Sequence, residues 1–162
     1  MNEAGLNAKW LKKDLTHPET QAFTQEVLNH MRERLSDYQE AYGDLYNLEA
    51  TPAESTTYRF AKHDKAAYPD IITANENGTP YYTNSSHLPV GYTEDIFTAL
   101  EVQDDLQTRY TSGTVFHAFL GEKLPDWKAA ASLVRKIAEN FKLPYYTMSP
   151  TYSVCAEHGY LT

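Results

Sequence analysis

The pattern of hydrophobic and polar positions is most regular between Pro18 and Gly43. Along this segment apolar and aromatic residues recur every three or four positions, which places them on one face of a helix. They are Phe23, Val27, Leu28, Met31, Leu35, Tyr38 and Tyr42. Proline suits the first turn of a helix, and glycine suits the left-handed residue that ends one. The pattern therefore predicts one long helix that begins near Pro18 and ends at Gly43.

Two further helical patterns flank a short apolar run in the second half of the chain. Thr93 can cap a helix that ends near Tyr110, and Pro125 can open another. Their apolar positions are Ile96, Phe97, Leu100 and Leu106 in the first and Ala130, Leu133, Val134, Ile137 and Phe141 in the second. Between them, residues 113–121 are bounded by glycine and rich in β-branched and aromatic side chains, which predicts a buried strand.

Shorter patterns occupy the middle of the chain. The segment 45–64 begins as a strand-like stretch, breaks at Pro52 and continues as a predicted helix. Residues 68–80 carry proline, asparagine and glycine in turn-like clusters and are predicted to be a loop, which leaves 81–84 as a strand. Strands that alternate with helices favour an α/β fold, with parallel neighbours joined by right-handed crossovers.

Charge and composition narrow the classes of function. A formal net charge of -8 argues against a nucleic-acid partner, because such a protein needs an excess of lysine and arginine. With Cys155 as the single cysteine, no disulfide can form within the chain, so we expect an intracellular, cytoplasmic protein. No apolar stretch has the length of a signal peptide core or of a membrane helix, so no membrane association is expected.

The segment from Thr51 to Thr57 is the first candidate for chemistry. It places hydroxyl groups and unpaired backbone N–H groups at the start of a predicted helix, an arrangement that attracts anions such as phosphate. The same residues also suit a capping segment that only satisfies its own helix, with Ser55 or Thr51 as the cap. Spacing alone does not decide between these two interpretations.

Two other clusters have similarly open interpretations. Residues 84–87, Asn-Ser-Ser-His, follow a predicted strand and fit either the lining of a pocket or a simple turn. Cys155 and His158 have the spacing of two ligands of a tetrahedral zinc ion, which is half of a site, and they equally fit a free cysteine beside a surface histidine. The chain offers no convincing set of nucleophile, base and acid, so no catalytic residue is predicted within it.

Several phrases of the sequence, taken together and in order, resemble the anaerobic, oxygen-sensitive, glycyl-radical class of ribonucleotide reductase. They are GLN at 5–7, HMRERL at 30–35, ATPAEST at 50–56, RFAKHD at 59–64, YYTNSSHLPV at 81–90, YTSGTVFHAFLGE at 110–122 and IAENFKLPYYTMSPTYSVCAEHGYL at 137–161. The resemblance spans nearly the whole chain. It implies a partial, half α/β barrel of the ribonucleotide reductase type. Residues 1–150 would be the later barrel half, and residues 151–162 would begin a truncated zinc domain.

The resemblance also assigns roles to individual residues. It implies that the helix-starting segment, Ala53, Glu54, Ser55, Thr56 and Thr57, holds the substrate phosphates. A second group, Asn84, Ser85 and His87, would line the substrate pocket. Cys155 and His158 would be ligands of a structural zinc ion whose other two ligands are absent from this chain.

By the same resemblance, the parent enzyme reduces ribonucleoside triphosphates to deoxyribonucleoside triphosphates for DNA synthesis. Its partners would be an activase that uses S-adenosylmethionine and an iron–sulfur cluster to install the glycyl radical, formate or a thiol as reductant, and a second copy in a homodimer. The chain lacks a cysteine for the radical-forming finger loop and a glycyl-radical motif, so the fragment alone is expected to be inactive. The alternative is a stand-alone nucleotide-binding or self-associating module without catalysis.

Overall fold

The computed structural model describes residues 1–53, 55–93, 95–120 and 124–150. In chain order the elements are α1 (Asn2–Asn7), α2 (Pro18–Tyr42), α3 (Ser55–Ala67), α4 (Ile96–Gln107), β1 (Phe116–Leu120), α5 (Trp127–Asn140) and β2 (Tyr146–Pro150). The described part of the chain is therefore a mixed α/β structure, as the alternation of patterns predicts. None of its helices is both long enough and apolar enough to cross a lipid bilayer.

Helix α2 confirms the prediction from periodicity at both ends. The Nδ1 atom of His17 accepts the N–H of Glu19 at 3.2 Å, and Pro18 occupies the first helical position. At the other end Gly43 is left-handed, with a φ of 75°, and its N–H donates to the carbonyl of Gln39. These local signals at the two ends are what made the boundaries predictable.

The single sheet of the described residues contains two parallel strands, β1 and β2, joined through α5. Their register pairs Phe116 with Tyr146. Asp126 caps α5, since its Oδ1 atom accepts the N–H of Ala129 at 2.8 Å. The buried core between this unit and α4 consists of Leu100, Phe116, Ala118, Ile137 and Leu143. The partial barrel implied by the resemblance stays a prediction.

The structure differs from the sequence predictions at several places. Helix α4 is capped by Asp95 and not by Thr93, because the Asp95 Oδ1 atom accepts the N–H of Phe97 at 3.0 Å. Residues 81–84 do not form a strand; only Tyr81 pairs, in an isolated antiparallel bridge with Ala74. Helix α1 was not predicted at all, because six residues are too few to show a readable period.

The strand-like stretch before Pro52 is extended and bonded to the loop after α4, although it is not part of a sheet. The carbonyl of Leu48 accepts the N–H groups of Thr111 and Ser112, and Ala50 donates to the carbonyl of Gly113 at 3.0 Å. Both Leu48 and Ala50 are buried. These bonds fix the backbone immediately before the helix-starting segment, and so they determine where that segment lies.

Candidate functional site

The helix-starting segment lies on the surface and leads directly into α3. Residues 51–53 and Ser55 are exposed, Thr56 is half-buried and Thr57 is buried. The carbonyl of Ala53 accepts the N–H of Thr56 at 2.9 Å, which forms the first turn of the helix. Of the predicted phosphate ligands, Ser55 is therefore exposed and Thr57 is not. Glu54 lies outside the described residues.

The structure brings the two predicted groups of site residues together. The Oδ1 atom of Asn84 accepts the backbone N–H of Ala53 at 3.1 Å. Because the carbonyl end of the Asn84 amide faces a donor, its other end is the NH₂ group, which has two N–H donors to offer. The start of α3 thus has an amide NH₂ group beside it, while the N–H of Ala53, the one donor of that predicted ligand, is already occupied by Asn84.

A second contact joins the same two segments farther along α3. The hydroxyl of Tyr82 donates to the Oδ2 atom of Asp64 at 2.6 Å. Burial and this bond to a carboxylate both raise the pKa of Tyr82, so the hydroxyl remains a donor over the physiological range. The sequence pattern did not indicate this contact. The one signal for it in the sequence was that Asp64 and Tyr82 both lie in phrases that carry the family resemblance.

Buried polar contacts from α4 and its following loop hold residues 85–87 in place. Ser85 has a positive φ of 43°, which is unusual for a residue other than glycine. The hydroxyl groups of Ser86 and Tyr110 are 2.8 Å apart, and the side-chain NH₂ of Gln103 donates to the Ser86 carbonyl at 3.0 Å. Ser86 and Gln103 have no exposed surface. A segment held so firmly can present Asn84 in a constant position.

His87 serves this scaffold through both ring nitrogens. Its Nδ1 atom lies 3.2 Å from the carbonyl oxygen of Asn84, and its Nε2 atom lies 3.0 Å from that of Val115. Burial lowers the pKa of His87, although the two carbonyl contacts act in the opposite direction. In its neutral form the ring can donate to one of these carbonyls, and only the protonated ring can donate to both. Either state fits a structural role, and the pocket-lining role of His87 stays a prediction.

A shallow groove of about 340 Å³ begins at Ser55 and runs along α3. It is lined by Ser55, Tyr58, Arg59, Lys62 and His63, which form one stripe of the helix surface. Two of these side chains are cationic in a chain with a net charge of -8. The groove therefore combines two cationic side chains with the exposed Ser55 on one stripe of α3.

The zinc prediction cannot be compared with the geometry, because Cys155 and His158 lie outside the described residues. Among the residues that the structure does describe, no three histidine, cysteine or acidic side chains come close enough to hold a metal ion.

The family model for anaerobic ribonucleoside-triphosphate reductase matches residues 1–162. The chain belongs to this reductase family. A curated relative, the anaerobic ribonucleoside-triphosphate reductase of Enterobacteria phage T4, is 30% identical over 103 residues. That match covers 64% of this chain and 16% of the phage reductase.

Solved structures of anaerobic ribonucleotide reductases share the fold. One superposes with a TM-score of 0.67 at 22% identity and covers 90% of this chain and 22% of that reductase chain. The crystal structure of the anaerobic ribonucleotide reductase from Thermotoga maritima in complex with dATP and CTP gives 0.65 at 21% identity, over 90% of this chain and 23% of the other. The chain therefore spans less than a quarter of the length of these reductases.

Proposed function

We propose that this chain forms the phosphate-side wall of the nucleotide site in an anaerobic ribonucleoside-triphosphate reductase. The observation that carries the proposal is the 3.1 Å bond between the Ala53 N–H and Asn84 Oδ1, which joins the two predicted groups of ligands. A reductase structure of the same fold is in complex with dATP and CTP, which supports a nucleotide as the ligand.

The charges and donors around the start of α3 suit a triphosphate. The N-terminal end of a helix carries a partial positive charge and attracts phosphate. The exposed Ser55 hydroxyl and the NH₂ group of Asn84 add hydrogen-bond donors, and Arg59 and Lys62 add positive charge one and two turns along the groove. These groups offer a small anion with several negative oxygens both hydrogen bonds and positive charge, whereas the net negative charge of the chain disfavours a long nucleic acid.

For the whole protein we propose the reduction of ribonucleoside triphosphates to deoxyribonucleoside triphosphates by glycyl and thiyl radical chemistry. The radical would be installed by an activase that uses S-adenosylmethionine and an iron–sulfur cluster, and formate or a thiol would supply the electrons. Zinc at Cys155 and His158, the homodimer and a cytoplasmic location remain part of this proposal. Because Cys155 is the single cysteine and suits the zinc position, we propose that this chain does not turn over substrate by itself.

Removing the hydroxyl of Ser55 tests the nucleotide proposal. Ser55→Ala is expected to weaken CTP binding roughly five- to tenfold, because one hydrogen bond to a charged oxygen is lost. The measurement is a calorimetric titration of CTP. Ser36→Ala is the matched control, since Ser36 is exposed on α2 and far along the chain from the groove. Equal affinity in wild type and Ser55→Ala would contradict the assignment of Ser55, and a wild-type chain that binds no CTP would contradict the proposal itself.

The second candidate function, a self-associating module, is favoured by the second half of α2 and the residues after it. Met31 is 45% exposed, Tyr42 is 69% exposed and Leu45 is 86% exposed. Apolar surface of this kind favours association. Sedimentation velocity is then expected to give a mass that rises with concentration for the wild type, while Tyr42→Glu remains at the monomer mass of 18.5 kDa. A wild type that stays monomeric would remove this candidate.

A further inference from the structure

We propose that Glu3, on α1, is a positioning residue that sets the orientation of Asn84 at the nucleotide site; this inference rests on the proposed function. Glu3 accepts hydrogen bonds from Thr83, the residue immediately before Asn84. Its Oε1 atom accepts the Thr83 hydroxyl at 2.7 Å, and its Oε2 atom accepts the Thr83 N–H at 3.2 Å. Nothing in the sequence pattern indicates this contact, because 80 residues separate the two partners.

The carboxylate of Glu3 is buried, which requires a reason. Glu3 is 5% exposed, and burying a carboxylate is costly unless its oxygens are fully hydrogen-bonded. A third donor, the side-chain NH₂ of Asn2, reaches Oε1 at 3.1 Å. Among the described residues, no lysine or arginine forms an ion pair with Glu3. Its three hydrogen-bond donors are therefore neutral, and two of them belong to Thr83, while the buried N-terminal ammonium of Met1 also attracts the carboxylate electrostatically.

Helix α1, which carries Glu3, is itself held in place by hydrogen bonds to other parts of the chain. The Oδ1 atom of Asn2 accepts the N–H of Leu15 at 3.0 Å. Asn7 bonds the backbone of Ile72 twice, with its NH₂ group donating to the carbonyl and its Oδ1 atom accepting the N–H, both at 2.8 Å. These bonds hold both ends of α1 in place. The carboxylate of Glu3 therefore has a defined position from which it can restrain Thr83.

The position of Thr83 determines where Asn84 points. One peptide links them, and Tyr82 on the other side is bonded to Asp64 of α3. The residues after Asn84 are held independently, since the Met1 ammonium donates to the Ser85 carbonyl at 2.7 Å, so the bonds from Glu3 restrain the chain on the side before Asn84. If these two bonds are lost, the peptide between Thr83 and Asn84 loses that restraint. Asn84 Oδ1 would then no longer hold the N–H of Ala53, and its NH₂ group would leave the start of α3. Glu3 would thus act on the phosphate site without touching the ligand.

Single-atom substitutions separate this role from a general contribution to folding. In Glu3→Gln the amide can keep one oxygen for Asn2 and the Thr83 hydroxyl, but its NH₂ group then faces the N–H of Thr83, so two donors oppose each other. Thr83→Val removes the hydroxyl and keeps the shape, whereas Thr83→Ser retains the hydroxyl. Glu26→Gln is the control for the loss of one negative charge, because Glu26 is exposed on α2.

The test measures CTP affinity by calorimetry and the hydrogen exchange of the Ala53 amide by NMR, in the full 162-residue chain. Glu3→Gln and Thr83→Val are each expected to weaken CTP binding about tenfold and to accelerate exchange at Ala53, since a buried bond to a charged group is lost. Thr83→Ser and Glu26→Gln are expected to resemble the wild type in both measurements. If Glu3→Gln does not fold, the comparison of Thr83→Val with Thr83→Ser decides alone.

Two different results would overturn two different claims. A wild-type chain that binds no CTP overturns the proposed function, and the role of Glu3 at a nucleotide site falls with it. If the wild type binds CTP and Thr83→Val binds it equally well, the positioning role is wrong while the proposed function stands. Weaker binding of CTP with unchanged exchange at Ala53 would also overturn the positioning role, because the effect would not pass through Asn84.

Discussion

Asn84→Asp is expected to lower the affinity of the chain for CTP by roughly 30- to 100-fold. An aspartate at this position keeps an oxygen that can accept the N–H of Ala53, so the contact of 3.1 Å is retained. Its second oxygen replaces the NH₂ group and brings a negative charge to the place where a phosphate would bind. A hydrogen bond from the Asn84 NH₂ group to a phosphate is thus replaced by repulsion between two negative charges, while the shape of the side chain hardly changes.

The measurement is a titration of CTP at constant ionic strength, because salt screens charges near a surface. Asn77→Asp is the matched control: Asn77 is exposed in the loop between α3 and Tyr81, and the net charge changes by the same amount. Urea unfolding should show nearly equal stability for both variants and the wild type, since Ala53 keeps its acceptor. If Asn84→Asp binds CTP as tightly as the wild type, Asn84 does not face the phosphates.

The sequence predicted those parts of the fold whose signals are local. Pro18 and Gly43 mark the ends of α2, and each acts through the conformation of its own backbone. The cap of α4 was misassigned because Thr93 and Asp95 are both good capping residues two positions apart, and the bonds from Phe97 and Thr98 to Asp95 distinguish them. Local chemistry can therefore predict that a helix exists and still misplace its first residue by a few positions.

The candidate site was less predictable because it is built from contacts between distant residues. Ala53 and Asn84 are 31 positions apart, and the resemblance suggested that both lie near the substrate, but it did not indicate that they bond each other. Glu3 was missed because α1 carries no apolar period and its importance depends on Thr83. The pocket-lining role of His87 stays a prediction. Its two ring nitrogens lie near the backbone carbonyls of Asn84 and Val115, contacts that the sequence pattern did not indicate.

Gly5→Ala is expected to destabilise the chain by about 2–3 kcal/mol, which is the cost of overpacking a site that cannot relax. Helix propensity acts in the opposite direction, since alanine is favoured over glycine inside a helix by up to about 1 kcal/mol. The lack of space around Gly5 outweighs the gain in helix propensity, so the net effect is a loss of stability. A Cβ atom on Gly5 would lie 2.5 Å from the carbonyl oxygen of Lys13 and closer still to the Cγ2 atom of Thr20.

Neither neighbour of Gly5 can move away easily. Thr20 is fully buried, and its hydroxyl donates to the same Lys13 carbonyl at 2.9 Å. The N–H of Lys13 in turn donates to the carbonyl of Gly5 at 3.2 Å. An added methyl group must therefore push α1 away from α2, and Glu3 moves with it. We expect weaker CTP binding in the folded fraction of this variant as well as a lower urea midpoint.

Gly43→Ala is the control that separates lack of space from backbone conformation. A Cβ atom there would meet nothing within 4 Å, but the positive φ of 75° strains any residue other than glycine. The expected loss is about 1 kcal/mol, with CTP affinity unchanged, because Gly43 ends α2 and is far along the chain from Asn84. Urea unfolding followed by circular dichroism ranks the three proteins. A Gly5→Ala variant more stable than the wild type would mean that helix propensity outweighs the contact, and that α1 is not packed as tightly on Thr20 as the structure indicates.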